Sequence, residues 1–230
     1  EKFHGAVVDH EGSEHSRVFR EVARLGEDLK KLDEVVGTDT KSQAAILFDW
    51  ENMWALDTFM GLRTYRGYVE TVTECFGGFF NHAANVEFLP ADGDFSNYKL
   101  VVAPMLYALS EETIDKLEQY VRGGGTLVAT YLTGYVNEND LCYLGGFPGG
   151  KLRKVFGVWN EEIDCLRDDQ TVRCRYEENE LGLSGEFSAK HFCEVLHLEG
   201  AKTIASYEED FYAEMPVITV NSYGRGRAYY

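Results

Sequence analysis

Positive charge is scarce in this sequence: 22 lysines and arginines stand against 39 aspartates and glutamates, which gives a net charge of −17. A surface this acidic repels phosphate backbones and anionic lipid headgroups, so we expect no nucleic-acid partner and no membrane partner. No apolar run approaches the roughly 20 residues that a membrane-spanning helix needs, and no signal-peptide pattern occurs. The sequence predicts a cytoplasmic protein whose partners are neutral molecules or other proteins.

Cysteine chemistry and the common catalytic motifs are missing as well. The five cysteines are an odd number, none forms a C-x-x-C pair, and no histidine stands at a metal-finger spacing. We therefore expect reduced thiols, no metal and no cofactor. No G-x-S-x-G, P-loop, G-x-G-x-x-G or H-E-x-x-H motif occurs. Cys193 stands close to His191, but no acid or oxyanion loop accompanies them, so the sequence predicts no nucleophile.

Apolar runs of strand length alternate with helical patterns between residues 44 and 130. Ser110 caps a helix with two glutamates in its first turn, and the glycines at 123–125 end it. Such alternation is typical of βαβ units, in which a parallel sheet lies between two helical layers. The sequence predicts an α/β, flavodoxin-like three-layer sandwich with a mostly parallel sheet. The predicted strands are 45–48, 85–89, 98–103 and 126–130, and the predicted helices are 65–80 and the one after Ser110.

The segments on either side of this core have different patterns. Near the start, a short apolar run over residues 3–8 precedes an amphipathic helix that Ser16 caps and Gly37 ends. A strand, a loop and a long helix in this order are typical of the last unit of a repeating βα architecture. Alternatively, the helix is a linker. After Tyr131 we expect a long loop, then short strands and turns, and finally two strands that meet at the turn 223–226.

The segment after the first predicted strand is the main candidate site, because ligands of parallel sheets bind beyond the carboxyl ends of the strands. Asp49 and Glu51 are spaced as a possible acid–base pair, or they cap a helix or bond across a subunit contact. Two carboxylates and two indoles here disfavour a flavin phosphate. The indoles favour an interface or a platform for a sugar. The interface candidates are Trp50, Glu51, Asn52 and Trp54.

Five segments of the chain form an ordered set of motifs: 48–52 (Phe-Asp-Trp-Glu-Asn), 86–92, 98–107, 124–130 and 136–140. Together they resemble the β-galactosidases of glycoside hydrolase family 42, over nearly the whole chain. Enzymes of that family have a catalytic (β/α)₈ barrel, a trimerisation domain with a class I glutamine amidotransferase-like fold, and a small β domain.

The resemblance implies a fragment, and both ends of the chain look cut from a longer protein. Residues 1–40 resemble the last strand and helix of the barrel, and residues 41–230 resemble the trimerisation domain. Glu1 and His4 match a glutamate and a histidine that hydrogen-bond galactose in the family. The two catalytic glutamates lie on earlier barrel strands, so this chain alone is expected to have no activity. We expect a homotrimer whose parent hydrolyses terminal β-galactosides with retention.

Two other functions remain open from the residues alone. One is a small-molecule module, without catalysis, that binds a sugar on the aromatic segment from Trp50 to Trp54. The other is an active amidotransferase-like or ThuA-like hydrolase, which requires a cysteine, a histidine and a carboxylate to converge in a pocket.

Overall fold

The computed structural model describes residues 6–8, 10–59 and 67–230, and the chain divides into two compact units, Glu1–Lys41 and Ser42–Tyr230. In the first unit, helix α1 spans Arg17–Leu29 and a 3₁₀ helix follows at Lys30–Val35. The Ser16 hydroxyl accepts a hydrogen bond from the amide of Phe19 at 3.1 Å, so the predicted cap is confirmed. Neither helix has a buried residue. Of the predicted first strand, only residues 6–8 lie within the described chain.

The first half of the second unit has the predicted βα alternation. Strand β1 is completely buried, which agrees with its continuous apolar sequence. It lies between β2 and β3, and all pairings in the order β2-β1-β3-β4 are parallel. The strands are β1 (Ala44–Leu47), β2 (Glu87–Leu89), β3 (Leu100–Ala103) and β4 (Thr126–Ala129). The helices are α2 (Trp50–Thr58), α3 (Tyr68–Asn81) and α4 (Glu111–Gly123).

The second half of the sheet departs from the prediction. Strand β11 continues the parallel arrangement beside β4, but the four pairings beyond it are antiparallel. The nine-stranded sheet of the described chain is therefore mixed, with order β2-β1-β3-β4-β11-β10-β9-β6-β7. The strands are β6 (Val172–Tyr176), β7 (Glu186–Ala189), β9 (Lys202–Tyr207), β10 (Pro216–Tyr223) and β11 (Gly226–Tyr229).

Three further elements follow the loop after β4. A short helix, α5 (Leu152–Phe156), was not expected from the sequence and is mostly buried. Strands β5 (Val158–Cys165) and β8 (Phe192–Leu198) pair with each other in a separate two-stranded sheet. The predicted pair of strands around the turn 223–226 is confirmed by β10 and β11.

Helices cover the large sheet on both faces, as in a three-layer α/β sandwich. Because successive residues of a strand point to opposite faces, Leu47 packs with α4 and α5, and Ile46 packs with α2 and α3. A third cluster lies between the antiparallel strands and contains two buried cysteines and two buried tyrosines. Within the described chain, no helix combines the length and the apolar character that crossing a bilayer requires.

Candidate assembly site at the carboxyl end of the first strand

The segment after β1 is the first turn of helix α2. Asp49 is the N-cap of α2, and its Oδ1 atom accepts a hydrogen bond from the Asn52 amide at 2.8 Å. The Asp49 amide in turn donates to the Tyr68 hydroxyl at 3.0 Å. Burial raises the pKa of that tyrosine. Asp49 thus has the capping role that the sequence left as an alternative to acid–base chemistry.

Asn52, one of the four predicted interface residues, is not on the surface of the domain. Its side chain is completely buried. The Nδ2 atom donates to the Met105 carbonyl at 2.9 Å, and the Oδ1 atom accepts from the Ala108 amide at 2.9 Å. Both partners lie in the turn after β3, so Asn52 connects two neighbouring turns at the carboxyl end of the sheet. Its role is to satisfy backbone groups that burial would otherwise leave unpaired.

The two indoles do lie on the surface. Trp50 is 60% exposed and Trp54 is 57% exposed. Four residues apart on one helix, they share a face, whereas Asn52 and Leu56 point inward. The Trp50 ring meets Phe48 edge-on, with ring centroids 5.0 Å apart. Glu51 is also exposed. We call Trp50, Glu51 and Trp54 the tryptophan face.

A cleft of about 530 Å³ opens beside this face. Trp50 and the two acidic side chains around it form one wall, and the loop after β4 forms another. The rest of the lining consists of six apolar residues, two carboxylates, two hydroxyl groups and one lysine, Lys116. The cleft thus combines an indole with many hydrogen-bonding groups, and the clustered carboxylates disfavour an anionic ligand.

The turn after β3 is strained, a feature that sequence reasoning missed. Met105 has a φ of +42° and is completely buried. Its amide donates to the Thr130 hydroxyl at 2.8 Å, and its carbonyl accepts from Asn52. A non-glycine residue keeps a positive φ only when its surroundings restrain the backbone. At Met105 the side chains of Thr130 and Asn52 supply that restraint. No local sequence signal marks the position.

Glu194 is the second feature that the sequence did not predict. This carboxylate on β8 is buried and accepts three hydrogen bonds, from the Leu132 amide at 2.9 Å, the Tyr135 hydroxyl at 2.9 Å and the Tyr230 hydroxyl at 2.8 Å. Burial raises its pKa, although these donors oppose that shift. Leu132 has a φ of +61°, so Glu194 holds the turn after β4. Its contacts identify Glu194 as a structural residue.

The buried thiols are unsuited to nucleophilic catalysis. Burial raises the pKa of Cys193 to about 11, and it also raises the pKa of Cys75 and of Cys174. A catalytic cysteine needs the opposite shift, because the thiolate is the nucleophile. Among the residues described, no group of three or more histidine, cysteine or acidic side chains is placed to hold a metal ion. The geometry gives the hydrolase alternative no support.

Glu1 and His4, the predicted galactose ligands, lie outside the residues that the structure describes. Of the four predicted interface residues, Trp50, Glu51 and Trp54 lie together on the surface, and Asn52 lies in the interior.

Comparison with known proteins identifies the family. The sequence profile described as "Beta-galactosidase trimerisation domain" matches residues 42–230. The β-galactosidase Pbg of Clostridium perfringens is 49% identical over 100% of this chain and 34% of its own length. The β-galactosidase BglY of Alicyclobacillus acidocaldarius is 46% identical over the same shares. The chain thus spans about a third of the length of these relatives.

Solved structures give the same result. The β-galactosidase from Rahnella sp. R3 superimposes with a TM-score of 0.85 at 49% identity, over 100% of this chain and 34% of that one. The β-galactosidase from Bacillus circulans sp. alkalophilus superimposes with a TM-score of 0.86 at 39% identity, with the same coverage. The α/β architecture with its large mixed sheet is shared with these proteins. The chain belongs to the β-galactosidase trimerisation domain family of glycoside hydrolase family 42.

Proposed function

We propose that residues 42–230 hold three copies of a β-galactosidase together and perform no catalysis themselves. The observation that carries this proposal is the tryptophan face, which exposes two indoles on the short helix α2. The family to which the domain belongs is described as a trimerisation domain. Indole side chains bury large areas on association, and they are enriched among the residues that dominate binding energy. The raised pKa values of Cys193 and Cys75 disfavour a cysteine nucleophile, in agreement with this proposal.

The parent protein, in this proposal, hydrolyses terminal non-reducing β-D-galactosides with retention of configuration. The names of the relatives support the substrate class. Residues 1–40 would be the last strand and helix of its catalytic barrel, and Glu1 and His4 would hydrogen-bond the galactose ring there. The exposed apolar side of α1 supports this assignment, since a barrel helix needs a sheet to cover that side. The catalytic carboxylates would come from the part of the parent that precedes this chain.

For the fold, we propose the finer assignment of a flavodoxin-like or amidotransferase-like sandwich for residues 41–230. The parallel order β2-β1-β3-β4 with helices on both faces supports it. The strained buried turn at Met105 is a further supporting feature, because a sharp turn after a parallel strand is where hydrolases of related design place their nucleophile. Methionine at that point agrees with a domain that has no such chemistry.

The test of the assembly role replaces both indoles in the full-length parent protein. We expect Trp50→Ala with Trp54→Ala to shift the trimer toward monomer, measured by light scattering after size exclusion over a range of concentrations. Phe211→Ala is the matched control, because Phe211 is 67% exposed in the turn before β10. An unchanged mass for the double variant at every concentration would remove the tryptophan face from the interface.

A second candidate function is sugar binding in the cleft beside Trp50. The observation that favours it is the combination of one indole wall with carboxylate and amide groups around a volume of about 530 Å³. Galactose titrated calorimetrically into the 230-residue chain discriminates the two functions. We expect no heat, because in the proposed function the cleft side of α2 serves the contact between copies, and Glu1 and His4 on one barrel strand cannot enclose a pyranose ring. Heat that disappears in Trp50→Ala would instead establish the sugar-binding function.

A further inference from the structure

Helix α3 has two apolar faces, and only one of them packs on the sheet. Tyr68 and Val72 are buried against β1 and β3, as a helix of a three-layer sandwich requires. The second face consists of residues spaced by four, three and four positions, which places them in one stripe along the helix. Its members are Val69, Thr73, Phe76 and Phe80.

This outer stripe is exposed. Phe80 is 71% exposed, and Val69 and Phe76 are also classed among the exposed large apolar side chains. Phe76 contacts Phe80 and also Phe88 of β2, with ring centroids 5.9 Å and 5.8 Å apart. Phe88 is exposed too, and β2 lies at the end of the sheet as the structure describes it. We call the four residues of the stripe together with Phe88 the phenylalanine face.

A helix face that stays in contact with solvent normally carries polar residues at such positions, and Thr73 is the polar member of this stripe. Contiguous exposed aromatic rings of this kind mark a surface that associates. No member of the phenylalanine face is charged, although the whole chain has a net charge of −17. Two copies of so acidic a chain repel each other, and a surface without charged members opposes their approach least, even when the facing surface carries the single carboxylate of Glu51. The charge distribution therefore favours a second copy as the occupant of this face.

Two glycines in the middle of α3 give an independent indication. Gly77 and Gly78 have no positive φ, and a Cβ atom added to either would meet no atom within 4 Å. Neither a left-handed conformation nor crowding within the chain explains them, yet glycine is among the weakest helix formers. Gly77 directly follows Phe76 of the outer stripe. A glycine at this position lets another backbone approach the helix closely.

We propose that the phenylalanine face of one copy packs against the tryptophan face of the next copy around the threefold axis. Three copies that close a ring contact one another through two different surfaces, because a head-to-tail contact is heterologous. The tryptophan face supplies one surface and the phenylalanine face the other. This inference rests on the proposed function, and it adds the second half of the contact and the pairing between the two.

Two variants of the full-length protein test the new surface. Phe80→Lys places a charge in the stripe, and Gly77→Leu adds a side chain where the neighbour approaches. We expect either change to raise the dissociation constant of the trimer at least tenfold. Leucine is the better helix former, so Gly77→Leu is expected to keep or raise the melting temperature of the dissociated protomer. Phe211→Lys, with the same change of charge at a similarly exposed phenylalanine outside α3, is the control and is expected to leave the trimer intact.

Mixing distinguishes this pairing from other arrangements. The Trp50→Ala/Trp54→Ala variant keeps its phenylalanine face, and Phe80→Lys keeps its tryptophan face, so one intact contact remains between them. We expect each variant alone to be monomeric and the mixture to form a heterodimer. A wild-type protein that is monomeric would overturn the proposed function and this inference together. A wild-type trimer that survives both α3 variants, or variants that dissociate but give no heterodimer, would overturn this inference and leave the proposed function standing.

Discussion

The parallel half of the domain, β1 to β4, and its antiparallel half, which includes the separate pair β5 and β8, are stabilised in different ways. In the parallel half, β1 and β3 are apolar and buried, and the unusual side chains, Trp50 and Trp54, lie outside on α2. In the antiparallel half, carboxylates accept hydrogen bonds from within the chain: the buried Tyr212 donates to the half-buried Asp164 at 2.8 Å, and the buried Glu194 accepts three hydrogen bonds. One half therefore exposes aromatic side chains on α2, whereas the other half pairs the carboxylates of Glu194 and Asp164 within the chain.

The largest expected effect concerns the interior of the antiparallel half. Glu194→Ala removes one acceptor and leaves the Leu132 amide and two tyrosine hydroxyls unpaired in a buried site. We expect a loss of about 4 kcal/mol in the free energy of unfolding. Urea unfolding of the variant checks this, with Glu162→Ala on the neighbouring β5 as an exposed control. A loss no larger than that of the control would mean that the network contributes little.

A smaller effect is expected at the corresponding connection in the parallel half. Asn52→Ala removes the partners of two backbone groups, the Met105 carbonyl and the Ala108 amide. We expect a loss of about 2 kcal/mol in the free energy of unfolding, since fewer buried groups become unpaired than at Glu194. Asn139→Ala, on the exposed loop, is the control and should change stability by less than about 0.5 kcal/mol. Equal losses for Asn52→Ala and Glu194→Ala would contradict the contrast between the halves.

The smallest expected effect is a dependence of stability on pH that arises from Glu194. Burial raises its pKa in the folded state, so the folded protein binds this proton more tightly than the unfolded chain does. The contribution to stability is complete below the unfolded pKa of about 4.3, and it is lost as the pH rises through the folded pKa. Glu194→Gln cannot ionise, so its stability should fall less than that of the wild type as the pH rises across this window. Parallel curves for the two proteins would exclude Glu194 as the source.

The same contrast explains what the sequence could predict. Ala44–Leu47 and Leu100–Ala103 are continuous apolar runs, and such runs indicate buried parallel strands without any knowledge of the fold. The antiparallel strands alternate between burial and exposure and include carboxylates, so their pairing depends on partners that local pattern does not identify. The sequence therefore predicted short strands in this region but not which of them pair.

The candidate site was predicted only in part. The indoles at 50 and 54 were recognised from composition, because exposed tryptophan is informative wherever it occurs. The inward direction of Asn52 follows from hydrogen bonds to residues 53 and 56 positions away. Glu194 likewise meets Leu132 across 62 positions. Contacts at such separations are properties of the folded chain, and no local motif encodes them.

The central claim is that residues 42–230 contain the information for assembly. The most direct measurement is the solution mass of the 230-residue chain by size exclusion with light scattering, over a wide range of concentrations. We expect three times the mass of one chain, falling toward the monomer on dilution and in the Trp50→Ala/Trp54→Ala variant. A monomer at every concentration would contradict the claim, because the contacts that build the trimer would then belong to the remainder of the parent protein.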